Sequence, residues 1–285
     1  MYSQSITHVR PTAFVLLIDA SGSMNEPIEF RGKQRSKAQA VTTICNELLF
    51  ELIERAHRNH TIRNYYDVAI LAYGGADTVR PLLSPRIEWI PITEIARFKP
   101  SHQVEQIEFR LPNGKSVLRS IASPRWIQFE AQGQTPMCEA LRTARDLLQE
   151  WCLDPLHANS FPPIVFNITD GEATDADEEE LRDVTQQIKR LNVPDGNVLL
   201  IHIHITSLPN KEAKIFPSPK EIPLEVRHAR LLYTCSSVMP DLFTPAIRNI
   251  KGLEYLPPFR GMGYNASPNH LITLLNIGSV SVKTE

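Results

Sequence analysis

Short apolar segments alternate along the chain with longer segments in which apolar residues recur every three or four positions. The short segments are almost continuous in aliphatic, β-branched and aromatic residues. This pattern is typical of strands that are covered on both faces in a parallel sheet. Strands of this kind are predicted at residues 13–18, 68–73, 164–169 and 198–205.

The longer segments predict helices, because apolar side chains spaced three and four apart share one helical face. The clearest covers residues 136–151, where Pro136 suits the first turn since its missing N–H is not needed there. Another begins with four acidic residues, which favour the positive end of the helix dipole. The predicted helices are residues 36–57, 136–151, 177–191, 241–250 and 267–277.

Alternating strands and helices predict right-handed crossover connections between parallel strands. The expected fold class is therefore α/β, with a doubly wound, mostly parallel central sheet and helices on both faces, as in Rossmann-like folds. We expect one domain over residues 1–285, with a second small domain at 81–130 as the alternative.

Two segments interrupt the alternation and are predicted to be insertions in this domain. Residues 81–130 have a two-residue polar and apolar alternation at 107–111 and a strand-like run at 126–129, which predicts a β-rich antiparallel insertion. Residues 208–230 are broken by prolines and predict an exposed excursion. A further strand is expected after it, at 230–234.

The composition narrows the class of protein. The 285 residues include 30 basic and 32 acidic side chains, for a net charge of −2, which argues against a non-specific nucleic-acid binder. No apolar run approaches the length of a membrane span. The four cysteines lie far apart in no metal-ligand spacing, which favours reduced thiols and a cytoplasmic location.

Polar residues concentrate where ligands bind in this fold class, beyond the carboxyl ends of the strands. Asp19, Ser21 and Ser23 follow the first strand, Thr135 precedes a helix, and Asp170 follows the third predicted strand. Carboxylate and hydroxyl oxygens are hard donors that suit Mg²⁺, with Mn²⁺ or Ca²⁺ as further candidates, rather than zinc. These five side chains therefore predict a divalent-metal site.

A site built mostly from neutral hydroxyls leaves positive charge on the ion and an exchangeable coordination position. A carboxylate from another molecule can occupy that position as the last ligand. The sequence thus predicts that the ion is also coordinated by an Asp or Glu side chain of a partner protein.

Three motifs carry a family resemblance: DASGSM at residues 19–24, GQTPM at 133–137 and TDG at 169–171. In order and position they resemble the metal-ion-dependent adhesion site (MIDAS) of von Willebrand factor type A (vWA) domains. That resemblance implies that Ser21, Ser23 and Thr135 are direct ligands, while Asp19 and Asp170 act directly or through water. Gln134 stands where the family usually has a second glycine, and this removes no ligand.

The longer stretch TDGEATD, residues 169–175, resembles the bacterial, TerY-like branch of the family. This likeness implies a regulatory, stress-related protein of the bacterial cytoplasm. It also implies a Ser/Thr protein kinase and a metal-dependent protein phosphatase as partners. No catalytic residue, nucleic acid or membrane is expected.

The alternative is a metal-dependent phosphohydrolase that uses the same loops. Aspartyl-phosphate phosphatases need a second carboxylate two residues after the first as acid and base, and here that position is Ser21. No Lys, Arg or His lies in the three loops to stabilise developing negative charge. A non-enzymatic binding module is therefore favoured.

Other polar residues have two readings each. His202 and His204 have the spacing of one strand face, which suits a metal pair or, more simply, structural histidines. Asp175 suits a helix start or a contact behind the metal ligands. A basic run is expected to be solvated, although it could attract an acidic partner. The run consists of Arg31, Lys33, Arg35 and Lys37.

Overall fold

The computed structural model of the protein describes residues 2–75, 78–110, 116–205, 212–222 and 226–280. The helices are α1 Lys37–Ala56, α2 Ile92–Ile95, α3 Met137–Leu153, α4 Glu178–Arg190, α5 Arg227–Cys235, α6 Thr244–Lys251 and α7 Pro268–Val280. The strands are β1 Thr12–Ala20, β2 Pro27–Phe30, β3 Lys33–Ser36, β4 His57–Arg58, β5 Thr61–Ile62, β6 Tyr66–Gly74, β7 Thr78–Pro81, β8 Ile90–Pro91, β9 Ser101–Arg110, β10 Ser116–Arg125, β11 Ile164–Thr169, β12 Asn192–Val193, β13 Gly196–Asn197, β14 Leu199–Ile205, β15 Lys214–Ile215 and β16 Met262–Ala266.

The central sheet is parallel through its middle and antiparallel at its edges. Its order is β15-β16-β14-β11-β1-β6-β7, with β8 also paired to β6. The pairs β16–β14, β14–β11, β11–β1 and β1–β6 are parallel, whereas β15, β7 and β8 pair antiparallel. This topology confirms the predicted doubly wound α/β fold.

Alternate residues of β1 point to opposite faces of the sheet, as strand geometry requires. Phe14, Leu16 and Ile18 belong to a core cluster that includes buried residues of α1 and α7. Val15 and Leu17 belong to a second cluster with α3, α4 and α5. Because β1 is buried on both faces along its whole length, its carboxyl end is held rigidly between its neighbours.

The other predicted strands and helices correspond to observed ones, but two predicted strands are wrong and one observed strand was not predicted. Residues 230–234 belong to α5 rather than a strand, because Ala229, Leu232 and Cys235 face the core at helical spacing. Residues 126–129 form no strand. Strand β16 was not predicted, since its sequence MGYNA lacks an apolar run.

The two insertions have different outcomes. Antiparallel strands are observed in the first, where β9 and β10 pair with each other over ten residues. The proline-rich one is not simply an exposed excursion, and its residues 208–211 and 223–225 lie outside the described residues. Within 212–222, β15 pairs with β16 and the side chains of Phe216 and Ile222 are buried.

Among the residues that the structure describes, no helix combines the length and apolar composition needed to cross a lipid bilayer.

A buried polar network crosses one face of the sheet. The Tyr73 hydroxyl donates to Asn167 Oδ1 at 2.7 Å, and Asn167 Nδ2 lies 3.1 Å from His202 Nδ1. Since this orientation makes Asn167 Nδ2 a donor, His202 Nδ1 must accept, which requires the neutral ring. Burial and the nearby Lys189 charge lower the pKa of His202 to about 3.

The neutral His202 predicts an acid-dependent loss of stability. The unfolded chain takes up a proton near pH 6.5, whereas the folded protein does not until about pH 3. The free energy of unfolding should therefore fall as pH drops below 6.5. From pH 7 to pH 5 the His202 contribution is about 2 kcal/mol.

His202→Gln isolates this contribution, because a Gln oxygen can still accept from Asn167. Urea denaturation of both proteins at pH 7 and pH 5 measures the loss. We expect the variant to lose less stability than the wild type, and equal losses would show that His202 does not titrate in this way.

Candidate metal site

The site lies where three loops meet at the carboxyl edge of the central sheet. Backbone hydrogen bonds fix the first two loops to each other: Gly22 N donates to Gly133 O at 3.0 Å, and Gln132 N donates to Ala20 O at 2.7 Å. Gly133 has a φ of +71°, a conformation that glycine adopts readily. The loop before α3 is thereby pressed against the end of β1.

Asp19 is the innermost side chain of the site, with 0% of its surface exposed. Its Oδ1 accepts from the Ser21 backbone N at 2.8 Å, and its Oδ2 accepts from the Thr169 hydroxyl at 2.7 Å. Burial raises the pKa of Asp19, its hydrogen bonds lower it, and the charge of Asp170 raises it again, so the net shift is upward. A nearby cation would offset this cost of burying the charge.

Hydroxyl groups connect the first loop to the third. Ser21 Oγ lies 3.1 Å from Ser23 Oγ, and the Ser23 hydroxyl donates to Asp170 Oδ1 at 2.7 Å. Together with the bond from Ser21 N to Asp19, this places four of the five predicted ligands in one hydrogen-bonded chain. These four residues therefore form one cluster at the carboxyl ends of β1 and β11.

Thr135, the fifth predicted ligand, is buried in the loop that leads into α3. Its backbone N donates to Thr174 Oγ1 at 2.9 Å, and its carbonyl accepts from Thr174 N at 3.0 Å. The Thr135 loop is thus tied to the third loop by its own backbone and to the first loop through Gly133. These backbone contacts place the Thr135 loop beside the other two loops.

Asp175 has a role that neither reading of the sequence anticipated. Its Oδ1 accepts from Cys138 N at 3.1 Å and its Oδ2 from Glu139 N at 2.8 Å, so it caps α3 from another loop. The start of α4 is capped instead by Asp177, which accepts from Glu180 N at 2.9 Å. Asp175 therefore fixes the helix that follows Thr135.

Lys37 also lies at the site, although its place in a basic run predicted exposure to solvent. Its Nζ lies 2.7 Å from Asp170 Oδ2 and 2.8 Å from Glu26 Oε2, and only 3% of the residue is exposed. The expectation of a solvated basic run is wrong at this position. A signal was present: Lys37 is in phase with Val41 and Ile44, which are on the buried face of α1.

The histidine pair does not form part of the site. His202 is buried in the sheet network, and the His204 ring stacks on Tyr264 with centroids 5.6 Å apart. Within the described residues, no group of three His, Cys, Asp or Glu side chains could hold a metal. The candidate site instead combines two carboxylates with three hydroxyls, a donor set that fits a hard divalent cation.

Comparisons with known proteins give distant structural likenesses. No family model and no curated protein sequence matches the chain. A von Willebrand factor type A protein from Catenulispora acidiphila aligns at 16% identity and a TM-score of 0.41, over 69% of this chain and 34% of that one. The chain thus spans about a third of that structure's length.

Two further solved structures align at lower scores. The von Willebrand factor domain of the type V pili tip protein Mfa5 from Porphyromonas gingivalis has 12% identity and a TM-score of 0.30, with 57% of this chain and 39% of that one covered. A membrane-spanning protein from Vibrio fischeri has 11% identity and a TM-score of 0.28, with coverage of 86% and 100%. The chemistry of the site rests on its own geometry.

The close approach of Gly133 to Gly75, which directly follows β6, predicts that Gly133→Ala is strongly destabilising. A Cβ at this position would overlap the Gly75 carbonyl oxygen in a left-handed backbone conformation. We expect a loss of more than about 2 kcal/mol in the free energy of unfolding.

Gly171→Ala is the matched control, since no atom lies within 4 Å of its added Cβ and its φ is not in the left-handed region. Chemical denaturation of both variants measures the difference. Equal stabilities would contradict the proposed packing of the Gly133 loop.

Proposed function

We propose that the protein is a divalent-metal-dependent protein-binding module whose ion takes its last ligand from a partner's Asp or Glu. What supports the proposal is the chain of hydrogen bonds from Asp19 through Ser21 and Ser23 to Asp170. Such a chain gathers oxygen donors from two loops at one point, beside the Thr135 loop. The preferred ion is Mg²⁺, with Mn²⁺ or Ca²⁺ as alternatives.

Each side chain has a distinct role in this proposal. Ser21, Ser23 and Thr135 supply neutral hydroxyl oxygens to the ion. Asp19 and Asp170 supply charge, directly or through water, and orient the hydroxyls. Since five ligands leave one position of an octahedron open and three of the five are neutral hydroxyls, a carboxylate from outside can displace water from that position.

The wider setting of the proposal comes from the resemblance of the three motifs to a metal-ion-dependent adhesion site. That resemblance supports a TerY-like vWA protein of the bacterial cytoplasm. There it would act in a regulatory, stress-related role beside a Ser/Thr protein kinase and a metal-dependent protein phosphatase.

A phosphohydrolase is the weaker alternative. Lys37 does bring a positive charge to the loops, which the sequence analysis did not anticipate. Asp19, however, is fully buried and hydrogen-bonded on both oxygens, so it is poorly placed to attack a phosphate. The position two residues after Asp19, where such enzymes need an acid and base, is occupied by Ser21. Magnesium-dependent hydrolysis of a generic aryl phosphate would favour this alternative.

Asp19→Asn tests the metal site while preserving the shape of the side chain. We expect the variant to remain folded and to bind Mg²⁺ about 10–100-fold more weakly than the wild type, because an amide supplies no charge to the ion. Isothermal titration calorimetry measures the affinity. Asp183→Asn on α4 is the control, since Asp183 is exposed and bonds only locally to Gln187.

The same proteins test the role of the partner's carboxylate. Immobilised wild type should capture its partner from lysate in Mg²⁺ but not in chelator, and the Asp19→Asn protein should capture none. Excess acetate should reduce capture more than chloride at equal ionic strength, because acetate competes for the open position. Capture that survives chelation would contradict the proposed function, as would unchanged Mg²⁺ affinity in Asp19→Asn.

A further inference from the structure

Lys37 brings a fixed positive charge to the third loop of the candidate site. Its ammonium contacts Asp170 Oδ2 at 2.7 Å and Glu26 Oε2 at 2.8 Å. The Lys37 and Asp170 side chains are almost wholly buried, whereas the Glu26 side chain is 55% exposed. The pair between Lys37 and Asp170 is thus shielded from water, and its electrostatic effect is stronger than that of a surface pair.

The surrounding fold leaves Lys37 little freedom to move away. Its backbone N donates to the Glu26 carbonyl at 3.0 Å, and it is the first residue of α1, directly after the Ser36 cap. Ser36 accepts from Gln39 N at 3.1 Å in a complete capping box. The backbone of Lys37 is therefore held by the start of the helix, and its ammonium is held by two carboxylates.

We propose that Lys37 is a built-in counter-cation that lowers the affinity of the site for divalent ions and restricts which ion it accepts. The inference rests on the proposed function and names a determinant of its metal specificity. When the site holds no ion, the ammonium neutralises Asp170 beside the buried Asp19. When an ion binds, the ammonium repels it.

The contacts of Asp170 give the restriction on the type of ion. Lys37 holds Oδ2, so only Oδ1, which already accepts from Ser23, faces the hydroxyl ligands. Asp170 can then offer a single oxygen. Mg²⁺ needs only single carboxylate oxygens in a compact octahedron, whereas Ca²⁺ readily takes both oxygens of a carboxylate. Lys37 therefore favours Mg²⁺ over Ca²⁺.

Two variants of the full chain change the charge at Asp170 in opposite directions. Lys37→Met removes the ammonium but keeps the length and apolar stem of the side chain. Glu26→Gln removes one of the two carboxylates that Lys37 contacts, so more of its positive charge acts on Asp170. Since the Glu26 side chain is 55% exposed, this variant should fold even if Lys37→Met does not.

Isothermal titration calorimetry with MgCl₂ and with CaCl₂ is the test. We expect Lys37→Met to bind Mg²⁺ about tenfold more tightly than the wild type, and Glu26→Gln to bind it more weakly. The increase in affinity caused by Lys37→Met should be larger for Ca²⁺ than for Mg²⁺. The melting temperature of Lys37→Met should also fall in chelator and recover with Mg²⁺ by a larger shift than in the wild type.

The results separate this inference from the proposed function. If the wild type binds Mg²⁺ and neither variant changes the affinity in the expected direction, the role of Lys37 is overturned and the proposed function stands. If Lys37→Met alone binds Mg²⁺, the counter-cation role is supported and the proposed function fails. If none of the three proteins binds a divalent ion, both are overturned.

Discussion

A carboxylate buried at the end of a central strand must have both oxygens satisfied, and the rest of the site depends on how Asp19 meets this requirement. One oxygen accepts from the backbone of its own loop and the other from Thr169 on β11. These bonds fix the start of the first loop relative to the third. Burying this charge still raises its pKa, and a cation nearby would offset that cost.

The fold supplies that arrangement by placing β1 and β11 side by side and in parallel. Their carboxyl ends then open at the same edge, where Ser23 reaches Asp170 although the two residues are 147 positions apart. The Gly133 loop is held against the end of β1 by backbone hydrogen bonds. Lys37, the first residue of α1, pairs its ammonium with Asp170 and so opposes the binding of a second positive charge there.

Much of the fold and the site could be predicted from the sequence, because continuous apolar runs identify strands buried on both faces and ligands gather at their carboxyl ends. The five candidate ligands follow from that rule. Strand β16 escaped prediction because Gly263 and Asn265 interrupt its apolar pattern. Helix α5 was mistaken for a strand because a short apolar run such as Leu231–Tyr233 fits both structures. Lys37 was missed because its partner Asp170 is 133 positions away, and only the helical phase of α1 hints at its burial.

The position of a bound ion decides whether these five side chains form a metal site. Crystals of the wild-type protein grown with MnCl₂ should give a single anomalous peak among the oxygens of Ser21, Ser23 and Thr135, on the side of Asp170 that faces Ser23. A well-ordered site without a peak, or a manganese ion bound elsewhere by other side chains, would contradict the account.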